Sequence, residues 1–399
     1  DTYTGWQYST EWNVRSFFRQ NSWLLAPDEE VDNGSFKLAF VEHCFSNVYW
    51  GLRRWANLSH DDALLEADMQ YLEPLVRWHA GSVVGQRHAG RDFVLVSGFD
   101  LGRADFPRAA AQLRDWTVLS LNGDGTGLRA QEMGQPRSQR PPGACEEWGQ
   151  WRHALGGNDW RVQDGVLPVP CRHAWDPVRS SSDVGRQILG FFAGSLNSCT
   201  RRWAHALFGS AAPTPSSSDD LRKLAGHRIW VFDSPMGGDG PPGDDAEGTM
   251  DVFSFDAQLP GEMLYREALW SSQFCLVFNG SSSVNNVRLV EAVMHGCVPV
   301  IVADDAHPPL DNILDWRELA VFVRTRELVD LPAILAAVGP GSVAEMRRAL
   351  ARAAAVLDTR RPEFWNSFMT VAMHGVAMTM GGRRDHFGST DVVGFGEKK

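Results

Sequence analysis

Five short apolar runs in the second half of the chain constrain the fold more than any other feature. Ile188–Ala193, Arg228–Phe232, Phe274–Phe278, Val298–Ala303 and Leu319–Val323 each have strand length, and helical segments separate several of them. Short apolar strands alternating with helices belong to parallel sheets, because the crossover that brings a strand back in the same direction is usually a helix. This half therefore reads as a doubly wound α/β domain. The N-terminal part carries a weaker version of the pattern. Phe36–Val41, Phe93–Val96 and Trp116–Leu121 read as buried strands, and Asp61–Trp78 reads as a helix with Leu64, Leu65, Met69, Leu72 and Leu75 at helical spacing.

At 399 residues the chain exceeds what one hydrophobic core usually organises, about 250–300 residues. Two domains are expected, over residues 1–180 and 181–360, followed by a partly helical tail over 361–399. The boundary falls just after Val166-Leu167-Pro168-Val169-Pro170. Residues 122–158 are dominated by Gly, Pro, Gln and Arg and read as an irregular insertion. Similar polar stretches cover 211–220 and 236–248. With 43% hydrophobic and 22% charged residues the composition is that of a folded globular protein. No apolar run approaches the ~18–20 residues of a membrane helix.

The net charge of −11 argues against a nucleic-acid binder, which needs a basic face for phosphates. A nucleotide in a locally positive pocket is compatible with it. The chain opens on Asp1 without Met, which reads as a processed or trimmed product, a signal or anchor having been removed. None of the six cysteines forms a C-x-x-C pair, and the twelve histidines show no metal spacing, so no metal site is expected. Cys275 and Cys297, 22 residues apart, begin or precede neighbouring strands and read as free core thiols, a disulfide being allowed but not required. Sequons at Asn33, Asn57 and Asn279 favour a secretory compartment slightly.

The chemistry concentrates between Phe274 and Trp316, which reads strand, small polar loop, helix, strand, loop. The loop is Asn279-Gly280-Ser281-Ser282-Ser283, and Asn285 or Asn286 suits the N-cap of a helix that stops at Gly296. Leu289, Val290, Val293 and Met294 share the face that packs on the sheet. Arg288, Glu291 and His295 share the other. A helix N-terminus after such a loop, with free N–H groups and its dipole, attracts an anion. Arg288 adds a charge-assisted contact, and Glu291 accepts from ribose hydroxyls. Read blandly, the same residues are a plain connection, a surface ion pair and a surface or capping histidine.

Phe274-Cys275-Leu276-Val277, Arg288-Leu289-Val290-Glu291-Ala292 and Gly296-Cys297-Val298-Pro299-Val300-Ile301, with Asp304, Pro309 and Leu314-Asp315-Trp316, resemble the signature of the exostosin family of glycosyltransferases (GT47). Weaker matches are Ala26–Asp32, Gly90-Arg91-Asp92 with Phe99-Asp100-Leu101-Gly102, and Gly190–Gly194 with Arg201. The resemblance implies a GT-B fold, two Rossmann-like α/β domains facing a cleft. The first would be the acceptor side and the second would hold a nucleotide-sugar. It implies inverting transfer of a hexose or pentose from a UDP-type donor to a glycan or glycoprotein hydroxyl in the Golgi or secretory lumen, with no catalytic metal or other cofactor.

Carried over, Glu291 would hold the ribose, Arg288 and Arg201 the diphosphate, and Gly280, Ser281, Ser282 and Asn286 would approach the nucleotide. Asp100, at the C-terminal end of a strand, would be the base that activates the acceptor hydroxyl. Several positions depart from the pattern. Phe278 replaces a proline, Phe93 a histidine and Asn312 an acidic residue, the loop is one residue longer, and Arg288 is the one basic residue between Phe278 and Glu291. These departures support a second reading, a non-catalytic relative acting as scaffold, partner subunit in a complex or glycan-binding module. Of the 16 tryptophans most read as core, while Trp6, Trp12, Trp23, Trp50 and Trp55 cluster where an acceptor would lie.

Overall fold

The computed structural model describes residues 10–21, 38–98, 106, 108–121, 163–171, 173–182, 185–194, 196, 198–209, 228–233, 260–278, 286–303 and 306–380. The insertion at 122–158, the stretches at 211–220 and 236–248, the motif at 26–32, Asp100 and Gly280–Ser282 lie outside the described residues.

Two parallel sheets organise the chain. The first runs β1 (Ala39–Phe40), β2 (Phe93–Ser97), β3 (Thr117–Ser120) and β4 (Gly165–Val166), neighbours in that order. The second contains β5 (Ile188–Ala193), β6 (Ile229–Phe232), β7 (Ser272–Phe278), β8 (Val298–Val302) and β9 (Val321–Val323), in the spatial order β6-β5-β7-β8-β9. β7 and β8 are paired in continuous register from Phe274↔Val298 to Phe278↔Val302. All five residues of β8 are buried, as the uninterrupted apolar run requires when helices cover both faces. This is the two-domain α/β architecture expected of a GT-B fold.

The strand order has a direct consequence for ligands. From β5 the chain goes to one side to make β6, then crosses to the other side to make β7. β5 and β7 therefore flank a topological switch point, where the connections leave in opposite directions and open a crevice beyond the strands' C-terminal ends. The residues following β5 and β7 are those that carry Arg201 and Glu291.

Helices α1 (Thr10–Gln20) and α2 (Phe45–Trp55) accompany the first sheet. The helix expected over Asp61–Trp78 is α3 (His60–Ala67) and α4 (Glu73–Gly81), joined by a wide π turn at Asp68–Leu72. The buried stripe is Leu64, Asp68, Leu72 and Val76, at steps of four, while Leu65 and Met69 are exposed. Steps of four overshoot an α-helical turn of 3.6 residues, and the π turn absorbs the excess. The simple helical spacing therefore put Leu65 and Met69 on the wrong face.

In the second half, α5 (Cys199–Phe208), α6 (Pro260–Ser271), α7 (Val287–Met294) and α8 (Pro340–Leu357) surround the sheet, α7 packing against α8. The last helix among the described residues, α9 (Pro362–Thr379), returns to the first sheet and packs on β2, β3 and β4. Trp365 stacks on Phe17 with centroids 4.2 Å apart, and Phe368 stacks on Phe40 at 5.5 Å. One buried apolar cluster consequently includes Val94, Val96 and Leu119 of the first sheet together with Leu276, Val300 and Ile301 of the second. Among the described residues no single helix is long and apolar enough to cross a membrane.

Cys275 and Cys297 form a disulfide, with Cα atoms 5.7 Å apart. It ties β7 to the residue before β8, at the end of α7. Replacing both cysteines by alanine is expected to lower stability by about 3 kcal/mol, the chain-entropy contribution of a loop of this size. A urea titration checks this as a lower midpoint, with a slope that rises as the uncrosslinked unfolded chain expands.

Candidate functional site

The site is built on the ends of β5 and β7. Asn286 is the N-cap of α7: its side chain accepts from the Arg288 N–H at 3.1 Å and donates to the Phe278 carbonyl at 3.0 Å. One amide thus ties the last residue of β7 to the first turn of α7, holding both ends of the loop between them. The Leu289 N–H bonds Asn286 O. Two of the N–H groups expected to be free for an anion are therefore taken, and the attraction rests on the helix dipole and on side chains.

Arg288 and Glu291, three residues apart, meet at 3.0 Å between Nη1 and Oε2. Tyr265 of α6 donates its hydroxyl to the same Oε2 at 2.7 Å, and the Arg288 guanidinium lies over the Tyr265 ring, 4.9 Å from its centroid. Glu291 is 8% exposed. Burial pushes its carboxyl upward, but Arg288, His173 and the Tyr265 hydroxyl outweigh burial and hold it below the usual carboxylate range. An isolated surface pair would contribute little; this one is enclosed, so both charges are fixed in place.

The end of β5 closes the other side. A side chain at Gly194 would meet Arg288 Nη2 at 3.6 Å and Phe192 at 3.2 Å. Arg201, in the first turn of α5, is buried with its guanidinium over the Phe192 ring at 5.2 Å. Ser198 caps that helix, accepting from the Arg201 N–H. Arg288 and Arg201 therefore both stand near the Phe192–Gly194 end of β5, carried by the helices that follow β7 and β5, two positive charges at the switch-point crevice.

The other face of α7 is not open to solvent. His295 is the C-cap residue of α7 and is fully buried, so of its two bland readings capping holds and a surface position does not. Its Nδ1–H donates to the Glu291 carbonyl at 2.7 Å, and its ring is packed edge-on between His173 and Trp270, with centroids at 4.8 and 4.7 Å. Burial, assisted by His173, lowers its pKa to about 3. Cys171, His173 and Glu291 bring potential ligand atoms within 4.8 Å of one another. Ligands around one zinc ion at 2.0–2.3 Å stand about 3.3–3.8 Å apart. Glu291 Oε2 already serves Tyr265 and Arg288, and burial raises the Cys171 pKa, keeping the thiol protonated. The geometry suits a polar network better than a metal centre.

On the first sheet, Glu11 is buried where β2 ends. Its Oε1 accepts from the Gly98 N–H at 3.2 Å and its Oε2 from the Ser46 N–H in the first turn of α2 at 3.0 Å. His43 stands 3.6 Å from Oε2. This carboxylate anchors the backbone two residues before Asp100. Trp12 and Trp55 are exposed at 48% and 83%, whereas Trp50 is half-buried. Sequence reasoning passed over Tyr265, His173 and Glu11, because each reaches its partner from a distant segment and none lies in a local motif.

A family model, the exostosin GT47 domain, matches residues 56–338. The chain belongs to the exostosin GT47 family. Three similar proteins add detail. A probable β-1,4-xylosyltransferase of Arabidopsis thaliana is 35% identical over 97 residues, 24% of this chain and 23% of the relative. A probable glucuronosyltransferase of Oryza sativa subsp. japonica is 38% identical over 97 residues, with the same shares. A probable glycosyltransferase of Arabidopsis thaliana is 33% identical over 90 residues, 23% of this chain and 17% of the relative. The chain spans less than a quarter of the length of these relatives. The GT47 family assignment and the two parallel sheets agree on a GT-B-type fold.

Proposed function

We propose that this GT47 protein is an inverting glycosyltransferase that moves a hexose or pentose from a UDP-type donor to a glycan or glycoprotein hydroxyl. The observation that carries the reading is the Glu291–Arg288–Tyr265 cluster at the β5/β7 switch point. Tyr265 and Arg288 engage one oxygen of Glu291, which leaves Oε1 to accept from the ribose hydroxyls. Arg288 and Arg201 offset the charge that develops on the departing diphosphate, which removes the need for a metal ion in that role. Asp100 takes the proton as the acceptor oxygen attacks the anomeric carbon and the bond to the diphosphate breaks. The Cys275–Cys297 disulfide supports an oxidising compartment such as the Golgi lumen.

Calorimetric titration with UDP tests the reading. Binding at micromolar strength, about −8 kcal/mol, is expected, weakened at least thirtyfold in Glu291→Ala. A folded wild-type sample that ignores UDP overturns the enzyme reading. The scaffold or partner-subunit alternative then takes its place, supported by Trp55 and Trp78, which stand 83% and 68% exposed on α2 and α4.

A further inference from the structure

We infer that His173, on the crossover between the two sheets, is a positioning residue for the ribose-binding carboxylate of Glu291, and that the α8–α9 turn holds it in place. The inference rests on the donor-site reading above and extends it to a residue outside the family signature segment. The chain crosses between the two halves twice among the described residues, once from β4 toward β5 and once from α8 to α9. Both crossings meet at this residue.

The first crossing is anchored from both sides. Leu167 to Cys171 is buried throughout, and β4 itself is pinned to the second half, where the Leu310 N–H donates to the Val166 carbonyl at 2.8 Å. His173 is 6% exposed. Its ring nitrogen lies within 4.8 Å of both the Glu291 carboxylate and the Cys171 thiol, and its ring packs edge-on against His295. His295 in turn bonds the Glu291 backbone carbonyl. His173 therefore bears on Glu291 by two routes, through the field at the nearby carboxylate and through the His295 ring that bonds its backbone.

The second crossing holds His173 from behind. In the turn after α8, Asp358 binds Arg360 through both carboxylate oxygens, at 2.7 Å to Nε and 2.9 Å to Nη2. The same Nη2 donates to the His173 carbonyl at 2.9 Å. The bidentate pair sets the plane of the guanidinium, so the backbone of His173 is fixed by a rigid fork. A shift of either crossing moves His173 and, with it, the environment of the carboxylate that binds ribose. Preorganisation of this kind acts first on the ribose contact, because His173 lies beside the Glu291 carboxylate, whereas Arg201 approaches the diphosphate from the helix after β5.

The test is a calorimetric double-mutant cycle with UDP and 2′,3′-dideoxy-UDP as probes, on wild type, His173→Phe, His173→Gln, Glu291→Ala and His173→Phe/Glu291→Ala. Thermal melts accompany each titration. His173→Phe is expected to weaken UDP about tenfold, His173→Gln to restore most of the affinity, and the effect of His173→Phe to vanish both with the dideoxy nucleotide and in the Glu291→Ala background. Equal losses with both nucleotides, or additive losses in the cycle, overturn the inference and leave the donor site standing. No UDP binding by wild type overturns the donor-site reading and the inference with it. If His173→Phe does not fold, Arg360→Lys replaces it in the cycle, because it removes the fork while keeping the charge, and the same outcomes decide.

Discussion

Replacing Arg186 by leucine is expected to destabilise the second domain by about 3–5 kcal/mol, an effect larger than loss of the disulfide. Arg186 lies just before β5 and is 5% exposed. Its guanidinium donates to five carbonyls: Ser182 at 3.0 Å, Leu269 at 3.3 Å, Ser272 at 2.7 Å, Ser180 at 3.2 Å and His295 at 2.7 Å. Burial alone pulls its pKa down to about 10, so it stays charged in ordinary buffers. The carbonyls it serves belong to the ends of α6 and α7, the start of β7 and the crossover, none of which meets another in the regular helix or sheet ladders. Leucine fills part of the volume and removes the donor from the four buried carbonyls, those of Ser180, Leu269, Ser272 and His295. The same corner excludes any side chain at Gly296, where φ is +61° and a Cβ would lie 1.9 Å from the Ser180 carbonyl oxygen. Arg186→Lys retains the charge but only one compact donor group, so its loss should be intermediate. Thermal melts check both: a drop of about 10 °C for leucine is expected, and a drop under 2 °C would show that water replaces the guanidinium.

The strands were legible because burial on both faces demands unbroken apolar runs. Ile188–Ala193 is β5 to the residue, and Phe274–Phe278 and Val298–Ala303 fall within two residues of β7 and β8. The cap at Asn286 was legible because the side-chain chemistry of a helix start is local. The burial of His295, which the sequence offered as a surface or a capping residue, was not legible for the converse reason. A helical wheel tells which residues share a face, and only tertiary packing tells whether that face is covered. Trp270 and His173 cover it from 25 and 122 residues away along the chain. The partners of Glu291 divide in the same way: Arg288 at i−3 follows from helical geometry, whereas Tyr265 follows only from the packing of α6 against β5 and β7. Fold class and the Arg288–Glu291 pair are therefore properties of short segments, and the electrostatic setting of the Glu291 carboxylate is a property of the assembled domain.

That setting carries a pH signature, and His295 dominates it. In the unfolded chain its imidazole titrates near 6.5, and in the folded protein burial lowers its pKa to about 3. Between these values the unfolded chain binds a proton that the folded protein refuses, so stability is intact above pH 6.5 and falls as the pH drops toward 3. The slope approaches about 1.4 kcal/mol per pH unit, or about 3 kcal/mol between pH 7.5 and 4.5. Glu291, held below the usual carboxylate range, adds a loss of the same sign at still lower pH. Asp68 works in the opposite sense. Burial raises its pKa from 3.8 to about 6, so its folded form keeps a proton longer and its contribution to stability fades as the pH rises through that window. Because the two slopes partly cancel between pH 4 and 6, the wild-type curve alone does not isolate the histidine. Comparison with His295→Gln does, since glutamine cannot take up a proton and its amide can still donate to the Glu291 carbonyl. Urea midpoints taken from pH 7.5 to 4.5 should therefore favour the variant progressively, by about 3 kcal/mol at the acid end relative to neutral pH. Parallel losses in wild type and variant would place the acid sensitivity elsewhere and show that the His295 ring accepts a proton without leaving its site between His173 and Trp270.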